Sequence, residues 1–269
     1  MQITSTANPR IKEIRKLRNR KERDSQGLFL VEGVRLVAEA VQQKAAIQEV
    51  LYAPELLRSE FGYSIVKQAE AVGMPIIECS KDVFESIANK DNPQGLAATV
   101  QQHWLTLDTI KPFPNDIWVI LDTVRDPGNL GTILRTLDAV NGSGVILLDD
   151  TCDPFDPTCI RASMGAMFTR KVVRTSLVSF AAWKQKAGIA VVGTSDHEGR
   201  VYYRNYQYSA PTFLMMGSER AGLSEDHMQI CDGMVMIPMT GSCDSLNLSI
   251  ATGIILYEIY HQFHGETVQ

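Results

Sequence analysis

The stretch Met234-Val-Met-Ile-Pro-Met-Thr-Gly-Ser-Cys-Asp-Ser-Leu-Asn-Leu-Ser-Ile-Ala-Thr-Gly253 decides the fold of this chain. A short apolar strand, Val235 to Ile237, runs into a loop of small and polar residues, and an apolar segment follows that ends with Ile254-Ile-Leu-Tyr-Glu-Ile259. Pro238 lacks a backbone N–H and ends strand pairing, while hydroxyl and amide side chains stand near the start of the apolar segment. The pattern predicts a strand, a ligand-binding loop and a helix.

The same loop also fits an ordinary connection between a strand and a helix, because Ser245 or Asn247 can act as an N-cap. Two further loops favour ligand binding: Leu121 to Thr136, and Leu214 to Glu225. Each follows a short apolar strand and precedes a predicted helix. Open α/β sheets bind ligands at the carboxyl ends of parallel strands, so we expect the three loops to meet there.

Helical and extended patterns alternate along the rest of the chain, which predicts an α/β fold with a parallel sheet in the C-terminal part. Residues 1–105 predict a smaller α/β domain. The periodicity then lapses around Pro112 and Pro114, so we expect a linker at 106–116 and a second domain at 117–269.

The first domain opens with a basic segment. Asn8 and Pro9 predict a helix start, and the segment from Arg10 to Arg23 carries eight cations and two anions, a local charge of +6 in a chain of net charge −5. Such a patch attracts a polyanion, although a solvated helix face is the alternative. The candidate contacts to such a polyanion are Arg10, Arg15, Arg18 and Lys21, together with Arg161 from a later predicted helix.

The sequence argues against a disulfide-bonded, metal-binding, membrane-spanning or secreted protein. The five cysteines include no Cys-x-x-Cys pair, and no His stands at metal-ligand spacing, so we expect reduced thiols and no metal. Cys243 fits a small packing residue better than a reactive thiol. No apolar run approaches the roughly 20 residues that span a bilayer, and the N-terminus does not resemble a signal peptide. We therefore expect a cytoplasmic protein with no membrane partner.

The first of the two further loops contains a candidate anion ligand. Asp126-Pro-Gly-Asn129 is typical of a turn that ends at a helix N-cap. In the helix that follows, Arg135 lies off the apolar stripe, where its guanidinium suits a phosphate or a developing oxyanion. A surface arginine paired with Asp138 is the alternative.

In the second loop, Gly217 allows the backbone to approach a ligand, and Glu219 and Arg220 place opposite charges at a strand end. A charged turn explains the same residues, with Ser224 as the cap of the next helix. Gly-x-Gly-x-x-Gly is absent after any predicted strand, which disfavours a Rossmann-type enzyme.

Together the three loops resemble the three motifs of the SpoU (TrmH) family of RNA ribose 2′-O-methyltransferases, in the SPOUT superfamily. The matching segments are Asn129-Leu-Gly-Thr-Ile-Leu-Arg135, Gly217-Ser-Glu-Arg-Ala-Gly-Leu223 and Ile237-Pro-Met-Thr-Gly-Ser-Cys-Asp-Ser-Leu-Asn-Leu-Ser249. The first hundred residues resemble, more loosely, the ribosomal-protein-like substrate-binding domain of the rRNA-modifying members.

This resemblance implies a deep trefoil knot at about 212–262, S-adenosylmethionine bound in the knot, and a homodimer. It implies that the functional polar residues are Asn129, Arg135, Glu219, Ser245 and Asn247. It implies that the cofactor pocket is lined, largely through backbone, by Gly217, Ile237, Met239 and Leu246.

The implied reaction is methyl transfer to a ribose 2′-hydroxyl, most consistent with 23S rRNA. A tRNA 2′-O-methyltransferase, an enzyme that methylates a base nitrogen, and a catalytically silent RNA-binding or ribosome-assembly protein are the alternatives. The residue matching Arg135 has been proposed as the base in the family, but a guanidinium keeps its proton in proteins. Our hypothesis is that Arg135 binds the target phosphate, that Ser245, Asn129 or the phosphate takes the proton, and that Glu219 orients Asn129 or Arg135.

Overall fold

The protein is described here by a computed structural model. The described residues are 1–89, 91–195, 200–219, 221–243 and 245–265. Arg220, which the sequence motif includes, lies outside them. Within the described part of the chain, no helix is both long enough and apolar enough to cross a bilayer.

The chain divides into two compact units. The first comprises Met1–His103 and Asp153–Thr169, and the second comprises Trp104–Cys152 and Arg170–Gln269. A short segment from the second half of the chain therefore packs with the N-terminal unit.

The helices and strands alternate along the chain. The first hundred residues form β1 (Gln2–Ile3), α1 (Pro9–Lys16), α2 (Arg20–Gln26), β2 (Leu28–Glu32), α3 (Val34–Gln42), β3 (Ile47–Tyr52), α4 (Glu60–Ala71), β4 (Ile76–Cys79), α5 (Lys81–Ile87) and β5 (Leu96–Gln101). The rest form β6 (Ile117–Asp122), α6 (Pro127–Ala139), β7 (Gly144–Leu148), α7 (Pro157–Ser163), β8 (Lys171–Thr175), α8 (Leu177–Ala187), β9 (Ala190–Thr194), β10 (Val201–Tyr202), β11 (Thr212–Met216), α9 (Glu225–Gln229), β12 (Gly233–Met236) and α10 (Leu248–His264), with short 3-10 turns at Leu107–Thr109 and Ala166–Phe168.

The N-terminal unit is built on a mixed sheet with the strand order β1-β4-β3-β5-β2. β5 pairs antiparallel with β2 and β3, whereas β4 pairs parallel with β1 and β3. One face of the sheet packs against α1 and α5 through a cluster that includes Ile11, Leu51 and Phe84. This core is what holds the N-terminal helices in place.

The basic segment forms two helices instead of the single helix that the sequence suggested. Asn8 caps α1 by accepting from the backbone N–H of Arg10 at 2.9 Å, as predicted. Asn19 then caps α2 by accepting from Lys21, so a second helix begins only a few residues after the first ends. A second N-cap inside the basic stretch explains the break.

The second unit is built on a parallel sheet with the strand order β10-β12-β9-β11-β6-β7-β8, counted over the described residues. Every neighbouring pair in that order is parallel. All residues of β6 and β11 are buried, as is typical of strands covered on both faces. The α/β fold with a parallel sheet is therefore confirmed. The trefoil knot at about 212–262 stays a prediction.

The sequence pattern predicts one helix from Pro157 to Phe168, and the observed helix is shorter. α7 ends at Ser163, because Met164 and Gly165 adopt left-handed backbone conformations with φ of 52° and 102°. A Cβ on Gly165 would lie 3.0 Å from the side chain of Glu39 on α3, so this turn lies against the N-terminal unit's own helix.

Candidate active site

The three loops singled out from the sequence leave the carboxyl ends of β6, β11 and β12. β6 and β11 are neighbours in the sheet, and β9 separates β11 from β12. Each loop leads into a helix: α6, α9 and α10. Because all three strands run parallel, the loops lie at one edge of the sheet, as expected.

The sequence predicts a helix that begins at Leu130 after the turn, but α6 begins at Pro127, so the first loop is shorter than predicted. Asp126 is the N-cap, and its side chain accepts from the backbone N–H of Gly128 at 2.8 Å. Asn129 is consequently a residue of the first helical turn, and it is buried. Both polar atoms of its side-chain amide have hydrogen-bond partners on the other two loops.

A chain of hydrogen bonds joins the three loops through that amide. Asn129 donates from Nδ2 to Oε1 of Glu219 in the second loop at 3.0 Å. Its Oδ1 accepts from Nδ2 of Asn247 in the third loop, also at 3.0 Å. Three of the predicted functional residues therefore form one continuous polar network, and the orientation of each amide is determined by its neighbour.

Asn247 also serves as the N-cap of α10, which resolves one of the alternatives that the sequence left open. Its Oδ1 accepts from the backbone N–H groups of Ser249 at 2.9 Å and Ile250 at 3.3 Å. Asn247 can therefore cap α10 and join the network of the three loops at the same time, because its oxygen caps the helix while its amide nitrogen contacts Asn129.

A cavity of about 380 Å³ lies beside this network. Its lining includes every residue that the sequence assigned to the cofactor: Gly217, Ile237, Met239 and Leu246. Glu219 and Ser245 line it as well. Asn129, Arg135 and Asn247 do not line it.

Gly217 is required by the protein's own backbone. A Cβ at this position would lie 2.1 Å from the carbonyl carbon of Gly222. The two segments are held together by reciprocal backbone hydrogen bonds between Ser218 and Gly222, at 3.0 and 3.1 Å. The close approach that requires glycine here is therefore to the loop's own backbone, and the predicted approach to a ligand stays a prediction.

Sequence reasoning missed a second group of cavity residues. Thr194 is the last residue of β9 and Ser195 follows it, and Ala251 and Ile255 lie on α10. Thr194 and Ser195 reach the cavity because β9 lies between β11 and β12, the strands that carry two of the loops. That order depends on distant pairings which no local pattern reveals.

Arg135 is exposed on α6, as its position off the apolar stripe predicted. The alternative partner, Asp138, forms an ion pair with Arg170 at 2.9 Å. No described acidic residue forms an ion pair with Arg135, so none of them holds its guanidinium in place.

A buried histidine that the sequence gave no reason to select connects the first two loops. Nδ1 of His227 lies 2.6 Å from Oγ of Ser224, the N-cap of α9, and Nε2 lies 3.2 Å from Oδ1 of Asp122, the last residue of β6. His227 and Asp122 are both buried. This contact fixes α9, and with it the end of the second loop, against the start of the first.

The prediction that Cys243 packs as a small side chain is wrong, because Cys243 is exposed on the third loop. Cys79 and Cys159 are buried thiols, and Cys231 is half-buried. Burial raises the pKa of Cys79 and of Cys231 to about 12, so these two remain protonated at neutral pH. Among the described residues, no cluster of His, Cys, Asp and Glu is arranged to hold a metal ion.

Most of the cations proposed to contact RNA are engaged within the N-terminal unit. Arg10 pairs with Glu49, Arg15 donates from Nη2 to Oγ of Ser86 at 2.8 Å, and Arg18 donates to the carbonyl oxygen of Ala88. Glu49 compensates the charge of Arg10, whereas Arg15 and Arg18 donate to neutral oxygens and keep their charges. All three side chains are held against the N-terminal unit.

Lys21 and Arg161 differ from these three. Lys21 is exposed and forms no ion pair with a described residue, and Arg161 is half-buried in the last turn of α7. Arg23, which contributed to the basic charge count, is buried and pairs with Asp153, with 2.7 Å from Nη2 to Oδ2. The basic patch is consequently weaker than the sequence implied.

Comparison with known proteins gives a consistent result. The family model described as the SpoU rRNA Methylase family matches residues 116–257, and the MRM3-like substrate binding domain matches residues 8–98. The chain is 31% identical to the 23S rRNA (guanosine(2553)-2′-O)-methyltransferase RlmP of Bacillus subtilis (strain 168), over 96% of this chain and 98% of that protein.

Two further proteins resemble the chain over most of their length. It is 32% identical to the 23S rRNA (uridine(2479)-2′-O)-methyltransferase of Streptomyces viridochromogenes, over 91% of this chain and 87% of that one. The crystal structure of an AdoMet-bound rRNA methyltransferase from Sinorhizobium meliloti superposes with a TM-score of 0.87 and 38% identity, covering 96% of this chain and 97% of that one.

Proposed function

The chain belongs to the SpoU rRNA methylase family, and from this premise we propose that it transfers the methyl group of S-adenosylmethionine to a ribose 2′-oxygen of 23S rRNA. The observation that carries this proposal is the polar network of Asn129, Glu219 and Asn247, at the same sheet edge as the cavity beside it. The relatives that act on 23S rRNA match this chain over nearly its whole length.

The residues around the cavity fit the methyl donor. Its volume of about 380 Å³ lies within the usual range for small-ligand sites, about 300–1,000 Å³. Apolar side chains such as Leu246 and Ile237 offer contacts to the adenine ring, and Glu219 and Ser245 add polar groups. When bound, the donor supplies an electrophilic methyl carbon attached to a sulfonium.

The chemistry that remains for the protein is to orient and deprotonate the ribose hydroxyl. The 2′-oxygen attacks the methyl carbon, the carbon–sulfur bond breaks, and the hydroxyl proton must leave. Asn129 has both polar side-chain atoms engaged by Glu219 and Asn247, so Ser245 or the target phosphate receives that proton in our scheme. Glu219 accepts a hydrogen bond from Asn129, which supports an orienting role for its carboxylate and not a role as the base.

Arg135 binds the target phosphate and stabilises the forming alkoxide. A guanidinium is a fixed cation that hydrogen-bonds two phosphate oxygens at once. The exposure of Arg135, and the ion pair of Asp138 with Arg170, support this role because the guanidinium remains available. An Arg135→Lys enzyme should lose much of its turnover, since an ammonium cannot make the paired contact.

A homodimer is supported by an apolar stripe on α10. Ile250 and Tyr257 are seven residues apart on one face of the helix, and each is 54% exposed. Met239 and Leu246, on the preceding loop, are 37% exposed. Sedimentation should give a dimer, and the double variant Ile250→Asp/Tyr257→Asp should give a monomer, while Val178→Asp on α8 should have no effect. A wild-type monomer would contradict this arrangement.

The function is tested by incubating the protein with labelled S-adenosylmethionine and total RNA that lacks this modification, then separating rRNA from tRNA. Label in the large rRNA that disappears with Arg135→Ala supports the proposal. Label in tRNA would support the alternative substrate. Absence of label in any RNA, with measurable donor binding, would support a silent RNA-binding protein.

A further inference from the structure

A groove in the N-terminal unit lies between the start of α3, the start of α4 and the loop that precedes β5. Its volume is about 490 Å³, and its lining includes Arg35, Ser59, Phe61 and Gln94. None of these residues is among the candidate RNA contacts predicted from the sequence, and none belongs to the basic segment at the N-terminus.

Phe61 is the aromatic residue of this groove. It is the second residue of α4 and is 52% exposed, whereas the same helix buries Ile65, Val66 and Ala69. An exposed phenylalanine contributes little to the core, and leaving apolar area in water is unfavourable. The ring is therefore available to a ligand with a flat apolar face.

Gln94 presents an oriented amide beside that ring. Its Oε1 accepts from the backbone N–H of Val34 at 3.2 Å. The N-cap of α3, Gly33, has no side chain to do this, so Gln94 caps the helix from a distant part of the chain. Because the oxygen is engaged by the helix, the amide NH₂ is the group left to hydrogen-bond a ligand.

Arg35 and Glu39 supply charges of both signs. Arg35 is exposed and forms no ion pair with a described residue, and Glu39 follows one turn later on α3. A guanidinium suits a phosphate, and a carboxylate accepts from the amino or imino groups of a base. The groove thus combines a stacking face, base-edge partners and a cation.

We propose that this groove binds one unpaired nucleotide of the RNA substrate, with the base stacked on Phe61, its edge hydrogen-bonded by Gln94 and its phosphate bound by Arg35. The inference rests on the proposed function and names a subsite for that substrate. Proteins recognise RNA sequence largely at unpaired bases, which stack on aromatic side chains and hydrogen-bond through their edges. Arg10, Arg15 and Arg18 each form hydrogen bonds within the fold, whereas Arg35 forms no ion pair with a described residue, which favours a further contact region at this groove.

The kinetic test compares three substitutions of Phe61 in the full chain, with rRNA and S-adenosylmethionine as substrates. Phe61→Ala should raise KM for RNA by about 5-fold to about 100-fold, the equivalent of one lost base stack. It should leave kcat and donor binding unchanged. Phe61→Leu should behave like Phe61→Ala because it lacks a π face, and Phe61→Trp should resemble the wild type. Val72→Ala, an exposed residue at the other end of α4, is the matched control.

The binding test does not depend on methyl transfer. A short fluorescein-labelled single-stranded RNA of mixed sequence is titrated at fixed salt against the wild type and the same variants, with the duplex of that sequence as the control. Weaker binding of the single strand by Phe61→Ala and Phe61→Leu, with duplex binding unchanged, supports the groove.

The two proposals fail separately. Equal binding by wild type and Phe61→Ala, or wild-type affinity in Phe61→Leu, overturns the nucleotide subsite even if the enzyme methylates rRNA. If the wild-type protein transfers no methyl group to RNA but its RNA binding still depends on the Phe61 ring, the proposed function is overturned and the subsite stands.

Discussion

Asn247 donates a 3.0 Å hydrogen bond from Nδ2 to Oδ1 of Asn129, a residue 118 positions earlier in the chain. Because Asn129 also donates to Glu219, the two amides have a fixed donor and acceptor direction. The first turn of α6, the loop after β11 and the N-cap of α10 are thereby held together. We regard this network as the element that positions the reacting groups.

Substituting Asn247 can separate its two roles. Asn247→Asp keeps an oxygen that caps α10 but loses the donor to Asn129, so the helix cap should survive while the network is broken. The buried acceptor of Asn129 then lacks a partner, which should lower the free energy of unfolding by roughly 1–3 kcal/mol. Because the network positions the reacting groups, kcat/KM should fall about tenfold or more, the equivalent of ~1.4 kcal/mol in the transition state. Methyl-transfer kinetics and urea unfolding on the same samples measure both effects. Unchanged kcat/KM in the aspartate variant would show that the network does not position the reacting groups.

Glu219 can be tested as an orienting residue against a general base. In Glu219→Gln the carbonyl oxygen still accepts from Nδ2 of Asn129, so activity should stay within a few-fold of wild type. Glu219→Ala removes the acceptor and should lose about tenfold or more. The measurement is the ratio of kcat for Glu219→Gln to kcat for Glu219→Ala. A glutamine variant as inactive as the alanine variant would favour the carboxylate as the base.

Gly217 is predicted to control donor binding through the backbone. In Gly217→Ala the new Cβ lies 2.1 Å from a backbone carbon of Gly222, so the loop must shift. Strain of about 1–3 kcal/mol is expected, and donor affinity measured by calorimetry should fall about tenfold. Gly241→Ala is the matched control in the third loop, because a Cβ there meets nothing within 4 Å. Equal affinities of the two variants would contradict the assignment.

Arg23 is predicted to stabilise the N-terminal unit and not to bind RNA. Its guanidinium contacts Asp153 and the carbonyl oxygens of Leu17 and Arg18. Arg23→Ala leaves a buried carboxylate unpaired and should lower the free energy of unfolding by about 3–5 kcal/mol. Urea denaturation measures it, with the exposed Lys21→Ala as the control. A stable Arg23→Ala protein with weakened RNA binding would restore the sequence-based interpretation.

Local patterns predicted the strands and most of the helix caps. Asn8 and Ser224 cap helices as their residue types suggested, and the short apolar runs of the second unit became parallel strands, whereas α6 is capped by Asp126 and begins three residues earlier than predicted. These features depend on neighbours within a few residues, which the sequence displays directly.

Long-range contacts were not predictable in the same way. Asp122 and His227 approach each other only because β6 and β11 are adjacent in the sheet, and Arg23 is buried only because Asp153 returns from the second half of the chain. A count of charges cannot distinguish a cation in solvent from one with a buried partner. The groove at Phe61 was missed for the same reason, since three separate segments form it.

Alkaline hydrolysis of rRNA that the enzyme has labelled tests ribose methylation most directly. A 2′-O-methyl group blocks cleavage at one linkage, so we predict that the label is recovered in an alkali-stable dinucleotide and that none is recovered with Arg135→Ala. Recovery of the label in mononucleotides would place the methyl group on a base and would contradict the role assigned to Arg135 and to the Asn129–Glu219–Asn247 network.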